Sequence, residues 1–289
     1  MKQNYTAEEA DSLVKIAYQL ILLRDPDPVG APLAAANLLS HRLDLKSLFE
    51  DLLRSQEFAA SQAKFLHAYV RPEWRQALID HSQNGEFKLI LSFLMKHGAR
   101  HQIIVDVGAR GRERSNSYDL LRHFSWRGLL VEANPSLYDS IRDEFAGTDM
   151  VLEESAVSDY EGEAELFFGI NEDISSLGQV AVAGWGDVKG HTTVRVHRLA
   201  AILEKYAMPA DFDVLSLDIE GEDIKVFNDL IVHPPFRPRL AVIEVGDAAD
   251  VSELVARGFA PEVQAAYAIL TSCGPNLFLQ SRALDAARP

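Results

Sequence analysis

Ile103-Ile104-Val105-Asp106-Val107-Gly108-Ala109-Arg110-Gly111 reads as a buried strand running into a glycine-bearing turn. Apolar, mostly β-branched residues interrupted by a single Asp suit a parallel strand covered on both faces. Gly108 and Gly111 permit a sharp turn and a close approach to a bound ligand, which a Cβ would obstruct. Outward from this stretch, after residue 102, strands and helices alternate, which predicts a mainly parallel, doubly wound α/β sheet. Strands are expected at Ile103–Val107, Gly128–Glu132, Val151–Ala156, Asp213–Leu217 and Arg239–Glu244, with a last one ending in Asn276–Gln280. Helices are expected near Tyr118–Phe124, Pro135–Phe145, Leu199–Tyr206, Ile224–Leu230 and Val251–Arg257. Asn134-Pro135 gives a cap followed by Pro at the first helical position. Ala164–Phe168 and Thr193–Val196 interrupt the alternation and read as an appended hairpin.

Upstream, residues 1–62 read as a separate helical module. Leu13, Ile16, Ala17, Leu20 and Ile21 follow a helical stripe that must stop before Asp25-Pro26-Asp27-Pro28. A second helix is expected near Pro32, and a third after Asp44, which is placed to cap it. Residues 63–101 read as a helical connector or cap of two further helices. The better one carries Phe87, Ile90, Leu91, Leu94 and Met95 and stops at Gly98. Tyr69 and Trp74, in the other, read as packing residues. Residues 102–289 then form the main domain.

The chain has 289 residues, 47% hydrophobic and 25% charged, the composition of a soluble globular protein. No apolar run reaches membrane-span length and no signal peptide opens the chain, so a cytoplasmic protein is expected. The lone Cys273 excludes an internal disulfide. A net charge of −15 disfavours nucleic acid as a partner.

Four expected strand ends carry chemistry, and in a parallel sheet these ends share one edge, where such folds bind ligands. Asp106 with Gly108 and Gly111 is the first. Glu132 is the second, 24 residues beyond Gly108, where an acid can accept hydrogen bonds from ribose hydroxyls. Ser155-Ala156-Val157-Ser158-Asp159 is the third, with small residues against which an adenine could lie. Asp218-Ile219-Glu220-Gly221 is the fourth, an acidic cluster. A nicotinamide cofactor would need Gly-x-Gly-x-x-Gly, and Asp106 would set a carboxylate beside its pyrophosphate. No Gly-Lys-Ser/Thr marks a phosphate loop. The same carboxylate suits the cationic S-adenosylmethionine.

Asp106 to Gly111, Leu130-Val131-Glu132-Ala133-Asn134-Pro135, Ser155 to Asp159, Ile174-Ser175-Ser176-Leu177, Val196-His197-Arg198-Leu199 and Leu215 to Asp223 together resemble the FkbM-type methyltransferase family, over roughly residues 100–280. The resemblance implies a class I methyltransferase fold and an S-adenosylmethionine-dependent enzyme, usually acting on oxygen. The family's Asp-Val-Gly-Ala-Asn-x-Gly pattern is kept only in part, because Gly111 follows Arg110 directly. Residues 17–30 and Ser55-Gln56-Glu57-Phe58 resemble a small helical module of uncharacterised function, common in bacterial surface-polysaccharide and glycosylation proteins. That company suggests a sugar or glycan acceptor and a protein partner for the module.

Expected cofactor contacts are Asp106, Gly108, Ala109, Gly111, Glu132, Ala133, Asn134, Ala156 and Asp218. Asp218 or Glu220 is the expected general base, or the pair holds a divalent metal; Glu220-Gly221 could also simply start the next helix. Ser175, Ser176, His191 and Glu244 are candidate substrate contacts. His191 and His197, in the hairpin, could each be a base or ordinary surface residues. An S-adenosylmethionine-dependent O-methyltransferase is the leading expectation. The alternatives are an inactive cofactor-binding protein docking in a glycan-modification complex and an NAD-dependent oxidoreductase.

Overall fold

The computed structural model describes residues 5–22, 24–58, 80–169, 175–178, 187–246 and 251–286. The expected helix after Phe65, with Tyr69 and Trp74, lies outside them, as does Ile174. Among the described residues, those up to Phe58 with Lys88–Gly98 form one compact unit, and the others form a second.

In the first unit, α1 (Ala7–Ile21) opens on a capping box in which Thr6 and Glu9 satisfy each other's backbone amides. Its buried stripe is Ala10, Val14, Ala17 and Ile21, so Ala17 and Ile21 of the expected stripe are buried while Ile16 is 47% exposed. Helix α2 (Gly30–Leu39) starts two residues before Pro32. Helix α3 (Leu45–Leu53) is capped by Asp44, whose carboxylate accepts the Ser47 amide at 2.7 Å. Ala35, Leu38, Leu48, Leu52 and Phe58 complete this small core. Helix α4 (Glu86–His97), which belongs to this unit from Lys88 on, ends as expected at Gly98, whose φ is +68° and whose amide reaches the Leu94 carbonyl.

The second unit holds eleven described strands in two sheets. In chain order they are β1 (Ile103–Val107), β2 (Arg127–Glu132), β3 (Asp149–Glu154), β4 (Ala156–Ser158), β5 (Gly162–Gly169), β6 (Ser175–Ser176), β7 (Val188–Arg198), β8 (Val214–Leu217), β9 (Leu240–Glu244), β10 (Tyr267–Cys273) and β11 (Asn276–Ser281). The helices between them are α5 (Tyr118–Phe124), α6 (Tyr138–Glu144), α7 (Leu199–Lys205), α8 (Asp223–Val232), α9 (Val251–Gly258) and α10 (Pro261–Ala266). A short 3-10 turn, Pro135–Leu137, precedes α6, so the helix expected from Pro135 begins tightly wound.

The seven-stranded sheet has the order β10-β11-β9-β8-β1-β2-β3. Strands β9, β8, β1, β2 and β3 are parallel, and β11 runs antiparallel to both of its neighbours. This is the mainly parallel α/β sheet expected of a class I methyltransferase. The chain winds outward from β1 to β3, then returns to β8 on the other side of β1, so the order reverses between β1 and β8. Val105, Leu129, Val131, Leu215, Leu217, Ala241 and Ile243 form one core with apolar residues of α7 and α8. At the strand-entry edge the Asp213 carboxylate accepts the amides of Arg100, His101 and Gln102, each at 2.7 Å, and the Arg239 guanidinium at 2.6 Å.

The strand expected over Val151–Ala156 divides at Ser155. Glu132, the last residue of β2, is in register with Glu154, so nothing continues the main ladder beyond it. Ala156–Ser158 pairs instead with Val196–Arg198 of β7. The expected hairpin is longer than Ala164–Phe168 and Thr193–Val196 and sits in a four-stranded sheet of order β4-β7-β5-β6. Leu166, Val194 and Val196 pack with Ala156 beneath it.

Candidate active site

A cleft opens where the chain leaves β1, β2, β8 and β9, at the reversal of strand order. It encloses about 1140 Å³ of space, part of it continuous with solvent. Of the residues singled out in the sequence, Gly108, Glu132, Ala133, Ala156, Ser175, Ser176, Asp218, Glu220 and Glu244 line it. Asp106, Ala109, Gly111, Asn134 and His191 do not.

Gly108 sits at φ +85°, and a Cβ there would lie 1.8 Å from the Asp218 carbonyl oxygen. Its glycine requirement therefore comes from the crossing of two strand exits, not from an approaching ligand. The amides of Gly108 and Ala109 both reach the Val131 carbonyl, and the Asp218 amide reaches that of Val107. Asp106 lies buried, accepting a hydrogen bond from Ser117 Oγ at 2.6 Å and another from Ser216. Burial raises its pKa and the Asp218 charge adds to this, against the two hydroxyls. Gly111 packs against Glu144, whose Oε2 would be 2.6 Å from a Cβ.

Glu132 ends β2 almost fully buried, yet its surface lines the cleft. Its carboxyl accepts the Asn134 amide at 2.6 Å and that of Ala133. Burial nevertheless pushes its pKa up to about 8, helped by the charges of Asp106 and Asp218. Asn134 caps the turn that follows, its side-chain oxygen accepting the Ser136 amide at 3.1 Å.

The acidic loop after β8 is held by a residue that the motif reading left without a role. Asp223, at the start of α8, accepts the amides of Ile219 and Gly221 at 2.9 and 3.0 Å. It is buried, which pushes its pKa up to about 6. Two successive left-handed residues, Glu220 at φ +55° and Gly221 at φ +109°, turn the loop into the cleft. Asp218, Glu220 and Glu244 each offer an oxygen within 4.8 Å of the others. The Glu244 pKa is pushed up to about 9, by burial first and then by the charges of Asp218, Glu220 and Asp223. Asp218 is hydrogen-bonded to Glu244 and its own pKa is raised by the protein around its carboxyl, even though the residue as a whole keeps exposed surface. A pair so close shares a proton near neutral pH.

The second sheet closes the cleft through hydroxyls. Ser176 Oγ donates to the Glu220 carbonyl at 2.9 Å, and Ser158 Oγ donates to Glu222 at 2.6 Å. His191 lies exposed on β7 beside Phe167 and Glu165. His197 is held by Glu161 at 2.6 Å. Both histidines serve the outer face of that sheet. Gln83, Arg110 and Arg114 also line the cleft. Arg110 and Arg114 flank Gly111 in the sequence, whereas nothing near Gln83 marks it as a site residue.

Residues 98–275 match the methyltransferase FkbM domain. No match is found among curated proteins or among solved structures. No helix among the described residues is long and apolar enough to cross a membrane. With that match spanning every strand exit that forms the cleft, the chain belongs to the FkbM methyltransferase family, which implies S-adenosylmethionine as methyl donor and a methyl-accepting substrate.

Proposed function

We propose that the protein is an S-adenosylmethionine-dependent O-methyltransferase whose acceptor is a hydroxylated small molecule of sugar or glycan type. The observation that carries this reading is the meeting of Gly108, Glu132, Ala156, Asp218 and Glu244 in one cleft at the reversal of strand order. The donor's chemistry fits these residues. Glu132 supplies an acceptor for ribose hydroxyls, and Ala133, Ala156, Val157 and Leu166 supply apolar surface for a base. The cleft is lined by the carboxyl groups of Asp218, Glu220 and Glu222, and Glu132 and Glu244 add to its negative charge when a ligand draws off their protons, which is the sign that a sulfonium and an ammonium require.

When bound, the cofactor supplies a methyl group on a positively charged sulfur. The protein must then align the acceptor oxygen and receive its proton. Asp218 suits that task, since Glu244 already holds the shared proton and leaves Asp218 as the ionised partner with a raised pKa. Glu220 stands beside it as the second candidate base. Ser175 and Ser176 line the wall from which an acceptor would be steadied.

Titration calorimetry with S-adenosylhomocysteine and with NAD tests the cofactor half of this reading. Binding of the first and not the second is expected. Transfer of a labelled methyl group to a panel of sugars and sugar conjugates, with and without chelator, tests the rest. Asp218→Asn should abolish transfer whether or not chelator is present if Asp218 is the base. Loss of wild-type transfer on chelation would move the three carboxyl groups to a metal role. Binding without transfer to any acceptor would favour an inactive docking protein.

A further inference from the structure

The lining of the cleft includes Gln83, from a segment that precedes the family-matched residues 98–275. Residues 80–85 are fixed at both ends. On one side the His81 amide and Nδ1 bind the buried Asp119 carboxylate, each at 2.9 Å, and the Ser115 amide donates to the His81 carbonyl at 3.1 Å. On the other, the Asn84 amide reaches Glu86 at 2.7 Å, and Glu86 also accepts from Asn276 at 2.9 Å. Gly274 packs so closely on Asn84 that a Cβ would lie 2.7 Å from its amide nitrogen.

The Ser115–His81 bond brings the loop after β1 alongside this segment. Arg114, just before Ser115, lines the cleft with a left-handed backbone at φ +63°, a conformation that side chains other than glycine adopt at a cost. Neither the Arg114 guanidinium nor the Gln83 amide has a hydrogen-bond or ion-pair partner among the described residues. Arg110, on the same loop, adds a second positive charge to the lining. A cation held on strained backbone in a cleft otherwise rich in carboxyl groups does nothing for the packing of the fold. It does suit recognition of an anion, for which a guanidinium offers paired donors.

We infer that Arg114, with Arg110 and Gln83, binds a carboxylate or phosphate group of the methyl acceptor, so that the substrate is anionic. This rests on the methyltransferase reading only for the identity of the ligand's owner. The acidic strand ends would take the positive part of the donor, and the rim at residues 83 and 114 would take the charge of the acceptor.

Calorimetry on the full chain, first saturated with S-adenosylhomocysteine, tests this with inorganic phosphate and glucuronate as probes and glucose as the neutral control. Both anions should bind and glucose should bind more weakly. Arg114→Gly should weaken both anions roughly tenfold or more, the size of one charge-assisted hydrogen bond. Its thermal midpoint should hold or rise, because glycine relieves the left-handed backbone. Arg114→Lys, which keeps the charge but not the paired donors, should fall between wild type and Arg114→Gly, and Gln83→Ala should show a smaller loss than Arg114→Gly. Anion binding that is absent, or unchanged in Arg114→Gly, would overturn the inference. So would a parallel loss of S-adenosylhomocysteine affinity, which would give the arginine to the donor's carboxylate. Failure of wild-type protein to bind S-adenosylhomocysteine would sink the methyltransferase reading and leave the anion titration, repeated without it, to judge the rim.

Discussion

Two demands meet at Gly108, a positive φ and a Cβ site already occupied by the Asp218 carbonyl oxygen 1.8 Å away. Gly108→Ala cannot be absorbed by rotating a side chain, since backbone blocks it. We expect that variant to lose more than about 2 kcal/mol of stability, or to fail to fold, as read by denaturant unfolding. Glu132 behaves differently, because its replacement disturbs the ligand more than the fold. Glu132→Ala should weaken S-adenosylhomocysteine binding by roughly tenfold to a hundredfold, the size of one or two hydrogen bonds to a charged group. Unchanged affinity would remove Glu132 from the site. Both positions were legible in the sequence as strand-end residues, but Gly108 for a different reason from the one its motif suggests. Asp106 was legible as an acid inside an apolar strand. That it points to Ser117 and Ser216 and not into the cleft was not, because Ser216 lies far along the chain and no motif marks either serine as its partner.

The elements around β1 and β8 are stapled at both edges of the sheet. At the strand-entry edge Asp213 gathers three successive amides ahead of β1 and the Arg239 guanidinium next to β9. Asp213→Ala should cost about 3–5 kcal/mol, the range for breaking a buried ion pair that also satisfies backbone amides. Because Asp213 lies at the edge away from the cleft, the protein that remains folded should keep its affinity for S-adenosylhomocysteine. A matched loss of affinity would show that the staple reaches the site. The strands β1, β2, β8 and β9 could be placed from sequence to within a residue, since short continuous apolar runs bounded by polar or turn residues mark strands buried on both faces. Strand β10 gave no such signal. It lies at the sheet edge, half-exposed, and its Thr271, Ser272 and Cys273 blur the alternation. The split at Ser155 was invisible for another reason: it depends on where the neighbouring β2 ends, which a single strand's sequence does not record.

For the molecule as a whole, the cleft gathers carboxyl groups whose protons outlast neutral pH. Glu132 at about 8 and Glu244 at about 9 both sit above their ordinary value of 4.5. The folded protein without ligand thus holds protons that the unfolded chain has lost. Its stability from these groups is complete below about pH 4.5 and drains away as pH rises through 8 and 9. Scanning fluorimetry should give a lower thermal midpoint at pH 8.5 than at pH 6, and Glu132→Gln should flatten that slope; a rising midpoint would contradict both assignments. The same carboxyl at the end of β2 has a calorimetric consequence. With a pKa of about 8, roughly nine-tenths of Glu132 carries its proton at pH 7. A ligand that brings hydroxyl donors and a positive charge favours the ionised form, so docking must expel that proton into the buffer. The heat measured in Tris should then differ from that in PIPES by a large share of the difference in their ionisation enthalpies, and Glu132→Gln should shrink the gap.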